Sequence, residues 1–432
     1  QHAPSSLSWL GQMTAPAPRS AYIHIPFCHR RCFYCDFAVV PLGDKADAQG
    51  GPGSRSIETY LTQLLKEIQL SPVGPPLATV YIGGGTPSLL TPEQVGRVLN
   101  TLRTRFGFQS GAEVTLEMDP ASFGRLDLEA LFRSGVNRVS LGGQSFDDQV
   151  LESLGRRHRR SDLLQACEWL HGAVEQGALR SWSLDLIRNL PDQTDEAWAV
   201  QLERAVAMAA PHLSIYDLSV EPGTVFSKLE QRGELELPDE DGAADRIAAT
   251  SERLARAGYC RYEISNFSRP GHASRHNRVY WSGAGWWAFG LGATSAPWGE
   301  RFARPRTREA YGEWLDQQQR DGPHSSFLQK QALPMPLEDR LLVGLRCREG
   351  VDLLEQAHGC GWSAQACSRW LPQLENRWEG FLATGLMRRR GRRWQLTDPL
   401  GMAVSNVVLV ELVEWWEEVS ADADHPASCA RP

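Results

Sequence analysis

"AYIHIPFCHRRCFYCDF", residues Ala21 to Phe37, places an apolar run of strand character directly before three cysteines, Cys28, Cys32 and Cys35, spaced C-x3-C-x2-C. A strand that delivers a loop of reactive side chains at its C-terminal end is the building unit of parallel α/β sites. The following two hundred residues repeat the unit. "IETYLTQLLKEIQL" carries Ile57, Leu61, Leu64, Leu65 and Ile68 on one helical face. "TVYIGGG" is a strand, and Thr91-Pro92-Glu93 opens a helix with an N-cap and a proline at the first helical position. "EVTLEMDP", "NRVSLGGQ", "SWSLDLI" and "HLSIYDLSVEPGT" continue the strands. Helices are expected near Leu128–Phe132, Asp147–Leu154, Ser161–Leu170 and Thr194–Ala209. Strands alternating with helices imply a parallel sheet with right-handed crossovers, either open or closed into part of a barrel.

The polar marks fall at one place in each unit. Cysteines follow the first strand, and Gly83, Gly84, Gly85 and Thr86 follow the second. Glu117 ends the third, Gln144 follows the fourth, Asp185 lies late in the fifth, and Ser219 to Glu221 follow the sixth. In such folds the C-terminal ends of the strands share one rim, so these residues are expected to face a common site.

The rest of the composition narrows the class. The 432 residues suffice for two or three domains, with 42% hydrophobic and 22% charged residues. A net charge of −7 argues against wholesale nucleic-acid binding. No apolar run is long enough to span a bilayer, and the N-terminal segment lacks the pattern of a secretory signal. The nine cysteines show no repeating spacing beyond the opening motif, as in a chain kept in a reducing cytosol. The 15 tryptophans read as packing.

Three thiolates are too few for a closed structural zinc site. A cubane [4Fe–4S] cluster has four irons, so three cysteines leave one iron open to an exogenous chelate such as a methionine amino and carboxylate pair. A zinc site completed by His24 or His29, or no metal at all, are the alternatives.

The spacing, with Tyr34 just before the last cysteine, resembles the radical S-adenosylmethionine (SAM) superfamily. "YIHIPFC", "GGGTPS", "RVSLGGQSFDD", "LGRRH", "SLDLI", "LPDQT" and "EPGT" together resemble the branch that holds oxygen-independent coproporphyrinogen III dehydrogenase and the radical-SAM heme chaperones. The resemblance runs from Ala21 to about Val419. It implies a partial (β/α)6 barrel with a C-terminal, mainly helical, winged-helix-like domain. It also implies a [4Fe–4S] cluster on Cys28, Cys32 and Cys35, with SAM held by Tyr22, Gly83, Gly84, Glu117, Gln144, Arg156 and Asp185. Gly85, Thr86, Tyr34 and Ser219 would lie near a second SAM position. The three glycines would let the backbone approach the methionyl amine.

Two features separate the functions within that branch. The dehydrogenase carries another cysteine two residues after the motif, where this chain has Phe37. "HNRVYW", His276 to Trp281, is similar to the HNxxYW signature of the heme chaperones, which implies heme contact through His276 and Tyr280. Alternatively, the segment is a turn in which Asn277 caps a short helix and His276 bonds the backbone. The expected function is therefore a cytoplasmic heme carrier, monomeric or dimeric, that passes heme to a heme-protein acceptor; peripheral membrane contact through the C-terminal domain is left open. Coproporphyrinogen III dehydrogenation or SAM-dependent methyl transfer are the enzymatic alternatives. Gly143, Arg188, Asn189 and Thr294 depart from the branch's usual residues, and Arg188 would bring charge near SAM.

The domain boundaries read from the sequence are a tail over 1–19, a barrel over 20–240, an extension over 241–321, a linker over 322–336, a C-terminal domain over 337–419 and a tail over 420–432. The hairpin holding Arg388, Arg389, Arg390, Arg392 and Arg393 is expected to be a solvated wing rather than a nucleic-acid contact.

Overall fold

In the computed structural model, residues 17–43, 52–297, 299, 301–322, 335–422 and 426 are described. Most of the two expected tails and of the linker lies outside them. The six expected strands form: β1 Ser20–Ile25, β2 Leu77–Gly84, β3 Phe108–Met118, β4 Arg138–Gln144, β5 Ser181–Arg188 and β6 His212–Asp217. They pair in sequence order, all parallel. Three further strands, β7 Cys260–Arg261, β8 Asn266–Ser268 and β9 Trp287–Phe289, extend the sheet to the order β9-β1-β2-β3-β4-β5-β6-β8-β7. β9 is parallel to β1, whereas β8 is antiparallel to β6. The Gly/Trp-rich stretch thus supplies a seventh parallel strand on the open side of the expected six.

The helices follow from local chemistry. Helix Pro92–Phe106 starts at Thr91, whose hydroxyl accepts from Gln94 N at 3.2 Å while Gln94 Oε1 accepts from Thr91 N at 2.9 Å. That reciprocal box satisfies two of the donors a helix start leaves unpaired. On the outer face of the strands Ile23, Val80, Leu116, Leu141, Leu184 and Leu213 are buried with Leu61, Leu64, Leu99, Leu131 and Leu202 in one apolar core.

The inner face is different. Strand residues alternate sides, and the alternates of that apolar set are polar: Tyr22 and His24, Thr79 and Tyr81, Glu113, Thr115 and Glu117, Arg138 and Ser140, Ser183 and Asp185, His212 and Ser214. They bond to each other: Tyr81 to Glu117, Ser140 and Ser183 to Asp185, Ser183 to Ser214, and His212 to Ser183. This barrel interior is a largely hydrogen-bonded polar lattice rather than stacked aliphatic layers, with Thr115 Oγ1 and the Nε and Nη2 of Arg138 left without a protein partner.

The C-terminal domain has helices Leu337–Leu345, Leu353–Gly359, Ala364–Ala383 and Ser405–Ser420 around a three-stranded antiparallel sheet. Its core holds Trp362, Trp370, Trp378, Trp394 and Trp415, so these tryptophans are packing residues. The arginines of the wing turn back on their own domain: Arg389 to Glu375 at 3.3 Å, Arg392 to Asp352 at 2.9 Å and Arg393 to Glu355 at 3.0 Å. The domain joins the barrel through Arg278 to Glu349 at 2.5 Å and Ser251 to Asp398 at 2.6 Å.

Candidate cofactor site

The C-terminal ends of the strands surround a cavity of about 380 Å³. Cys28, Cys32, Tyr34, Cys35, Gly84, Gly85, Thr86, Glu117, Gln144, Arg156, Asp185 and Ser219 all line it. Tyr22, Gly83, His276 and Tyr280 do not. Tyr22 and Tyr280 instead line a neighbouring pocket of about 270 Å³, with Trp286, Arg306 and Phe37; Phe37 borders both spaces and is 56% exposed.

The cysteine loop is tied down at both ends. Phe27–Cys28 pairs in parallel with Val40–Pro41, Phe33 N donates to Leu154 O at 3.0 Å, and Phe226 N donates to Phe33 O at 3.1 Å. The thiols are therefore held on one wall before any metal arrives. Burial pushes Cys28 up to about 12 and raises Cys35, so loading a metal there must release protons. Among the described residues no three His, Cys, Asp or Glu side chains converge on a point able to hold a single ion. His24 is also committed, with Nδ1 on the Tyr22 hydroxyl at 3.0 Å and Nε2 on Ala38 O at 2.7 Å. Three thiols lining one cavity suit a polynuclear cluster, whose irons take one protein ligand each.

The triple glycine is required by the protein itself. A Cβ on Gly83 would sit 2.9 Å from Glu117 Cδ, and one on Gly85 would sit 2.6 Å from Phe27 O. Gly84 has φ +121°, where an L side chain is strained, and its N–H donates to Glu117 Oε2 at 2.9 Å. These contacts add a reason to the expected approach of a ligand: the glycines let the turn close on Glu117 and on the cysteine loop.

Glu117 also accepts from the Tyr81 hydroxyl at 2.8 Å. Burial carries its carboxyl up to about 7, against the lowering effect of the Tyr81 and Gly84 hydrogen bonds. Asp185 is likewise raised by burial, while Ser183 and Ser140, each at 2.7 Å, favour its charged form. Arg156 is not a surface charge. Its Nη2 donates to Asp119 Oδ2 at 2.7 Å and Gly142 O at 2.9 Å, and its Nη1 lies 3.7 Å from Cys32 Sγ. Burial would raise Asp119, yet Arg156 and His158 outweigh it and hold that carboxyl well below the usual range. A cation beside the thiols offsets the negative charge that three thiolates would bring.

Gln144 reaches the cavity through a bulge. The β4–β5 register shifts between Gly142 and Gln144, and Gln144 has φ +64°. Bulges re-aim side chains next to sites, and a non-glycine residue in this region is held there by its surroundings.

Tyr81, Asp119, Ser140 and Asp217 also line the cavity. For Tyr81 the sequence does carry a signal: it alternates with Gly83 on β2 and so faces inward with it.

His276 departs from the heme-ligand expectation. It is 0% exposed, with Nδ1 on Thr79 Oγ1 and Nε2 on the Tyr280 hydroxyl, both at 2.8 Å. Burial, reinforced by the Arg138 charge, drives its imidazole down to about 3, so it is neutral. Asn277 does not cap the helix; Ser274 does, accepting from Asn277 N.

Residues 22–202 match the Radical SAM superfamily. A heme chaperone HemW of Synechocystis sp. is 38% identical over 419 residues, covering 93% of this chain and 98% of the relative. A HemW of Lactococcus lactis is 34% identical, covering 77% and 83%. The chain belongs to the HemW family. Coproporphyrinogen III oxidase (HemN) from Escherichia coli, a radical SAM enzyme, superposes with a TM-score of 0.71 at 21% identity over 92% of this chain and 90% of its own, a likeness of fold.

The departures from the HemW pattern have local explanations. Arg188 is buried at 2% exposure and paired with Asp217 at 2.8 and 3.0 Å, so it adds no free charge beside the cavity. Asn189 has φ +58°, the left-handed turn a glycine would otherwise supply, and its amide donates to Asp217 Oδ1 at 2.7 Å. At Gly143 the space for a larger residue is filled by Leu184 and Leu163, whose methyls lie 2.7 and 3.0 Å from where a Cβ would sit. No helix among the described residues is long and apolar enough to cross a membrane.

Proposed function

We propose that this chain is a heme chaperone that keeps the radical-SAM cofactor site. Cys28, Cys32 and Cys35 would hold a [4Fe–4S] cluster, and SAM would complete its open iron. When bound, that pair supplies one-electron chemistry. The chain's own residues would bind and orient it: Glu117, Asp185 and Gln144, which line the cavity, would face the polar groups of SAM, Arg156 would balance the thiolates, and Gly84 keeps Glu117 in place. Tyr34, Thr86 and Ser219 lie on the same walls and would meet a second SAM or the adenosyl end of the first.

The observation that carries the heme reading is Phe37. At the position where the dehydrogenase branch has a further cysteine, this chain presents an exposed phenyl ring at the junction of two cavities. Tyr280, Trp286, Asp36 and Arg306 line the adjoining pocket: its aromatic rings suit a porphyrin face, and Arg306, which also donates to Asp36 O, suits a propionate. The acceptor would be a heme protein. The kinship with HemW relatives supports the same reading.

The test uses anaerobically reconstituted protein. Heme titration followed in the Soret region is expected to saturate, and Phe37→Ala to weaken it. Incubation with coproporphyrinogen III and SAM is expected to yield no vinyl product. Vinyl product together with no heme saturation would overturn the proposal in favour of the dehydrogenase. S-adenosylhomocysteine in the same mixture would mark a methyltransferase.

A further inference from the structure

The helix Arg275–Ser282, which carries the HNRVYW segment, is fastened to the strands that form the cavity's carboxylate wall. Glu113, on the same strand as Glu117, accepts from Arg275 N at 3.2 Å and His276 N at 3.0 Å. The His276 ring is then fixed by Thr79 and Tyr280. Thr79 shares β2 with Tyr81, and the His276 ring stacks on the Tyr81 ring with centroids 5.2 Å apart and planes 28° apart. Tyr81 in turn donates to Glu117 Oε1. Freeing His276 Nε2 or Nδ1 for iron would break a buried hydrogen bond and withdraw the support under Tyr81.

We propose that His276 is a positioning residue for the SAM site: held by Thr79 and Tyr280, it fixes the Tyr81 ring, and through the Tyr81 hydroxyl it sets the Glu117 carboxylate that faces the cavity. The chain of contacts is continuous, every polar atom of the imidazole is used, and the ring is sealed from both cavities. Tyr280 gives the device a second edge, because it also lines the pocket behind Phe37 and packs edge-on against Trp286 at 4.9 Å. The inference rests on the SAM reading of the main cavity and is independent of the heme reading.

The experiment measures SAM affinity by equilibrium dialysis on reconstituted protein of equal iron content, with heme titration alongside. Tyr81→Phe and His276→Ala are each expected to weaken SAM roughly tenfold, the loss typical of one hydrogen bond to a charged group. The double variant is expected to be little weaker than Tyr81→Phe alone, because residues acting in one chain are not additive. His276→Gln, which keeps a planar donor and acceptor, is expected to recover part of the affinity, and the Soret titration of His276→Ala to match wild type. Wild-type SAM affinity in both Tyr81→Phe and His276→Ala overturns the proposal. So does loss of the Soret band in His276→Ala with SAM affinity kept, which would make it a heme ligand. Should His276→Ala fail to fold, Tyr280→Phe decides: unchanged SAM affinity there counts against the proposal. A wild type that binds no SAM at all removes the underlying reading, and the proposal with it.

Discussion

The cysteine loop and the HNRVYW segment are both dense in residues that bind metals, yet the fold treats them oppositely. Cys28, Cys32 and Cys35 stand on a cavity wall, anchored by backbone contacts on either side. His276 lies inside the barrel with both ring nitrogens and its backbone N–H committed. The difference teaches where ligands are to be sought. A group waiting for a metal keeps its valence open at a surface, whereas a buried polar group must find its partners within the protein.

Replacing the cysteines should break this comparison most severely. Cys32→Ala is expected to leave a folded chain that retains almost no iron after reconstitution, since three ligands are the minimum for the cluster. Iron content equal to wild type would contradict the assignment.

Next is the cost of burying a carboxylate. For Glu117 the folded pKa is about 7 against an ordinary 4.5. Between those values the native chain holds a proton that the unfolded chain has released, so the metal-free protein loses stability as pH rises through the window and no more above it. Glu117→Gln is expected to remove about 3 kcal/mol from the difference in unfolding free energy between about pH 4.5 and pH 8, read by urea unfolding. An undiminished difference would place the titration elsewhere; Glu263, also carried to about 7 by burial, and Asp185, likewise raised, are further contributors.

A smaller effect is expected at the bulge. Gly143→Ala would press a methyl against Leu184 and Leu163 and should cost about 1–3 kcal/mol. It should also weaken SAM binding by disturbing Gln144, and a variant as stable as wild type would mean the helix Arg160–Glu175 yields easily. The least effect is expected at the wing. Arg393→Ala removes an exposed pair with Glu355 and should change stability by no more than about 0.5 kcal/mol in the same assay.

Much of this architecture is legible in the chain because two periodicities coincide there. Strand-helix alternation marks six of the parallel strands, and the polar residues closing each strand mark the rim. Twelve of the expected site residues accordingly face one cavity. The strand Trp287–Phe289 is not legible, since three residues between glycines carry no periodicity and are ordered by pairing with β1. Nor is the polar interior: Thr79, Tyr81, Ser140 and Ser183 sit in runs that read as apolar, and only their alternation with the outward residues betrays them. The burial of His276 is not legible either, because a signature records which residues occur together and not which way a side chain points. Its partners, Thr79 and Glu113, come from strands more than 150 residues earlier in the chain.

The most direct test of the account is the spectrum of the reconstituted, reduced protein by electron paramagnetic resonance, recorded before and after SAM is added. A [4Fe–4S] signal held by three cysteines, with about four irons per chain, is expected to change on adding SAM as the ligand at the open iron is replaced. One zinc and no iron, or an iron signal indifferent to SAM, would contradict it.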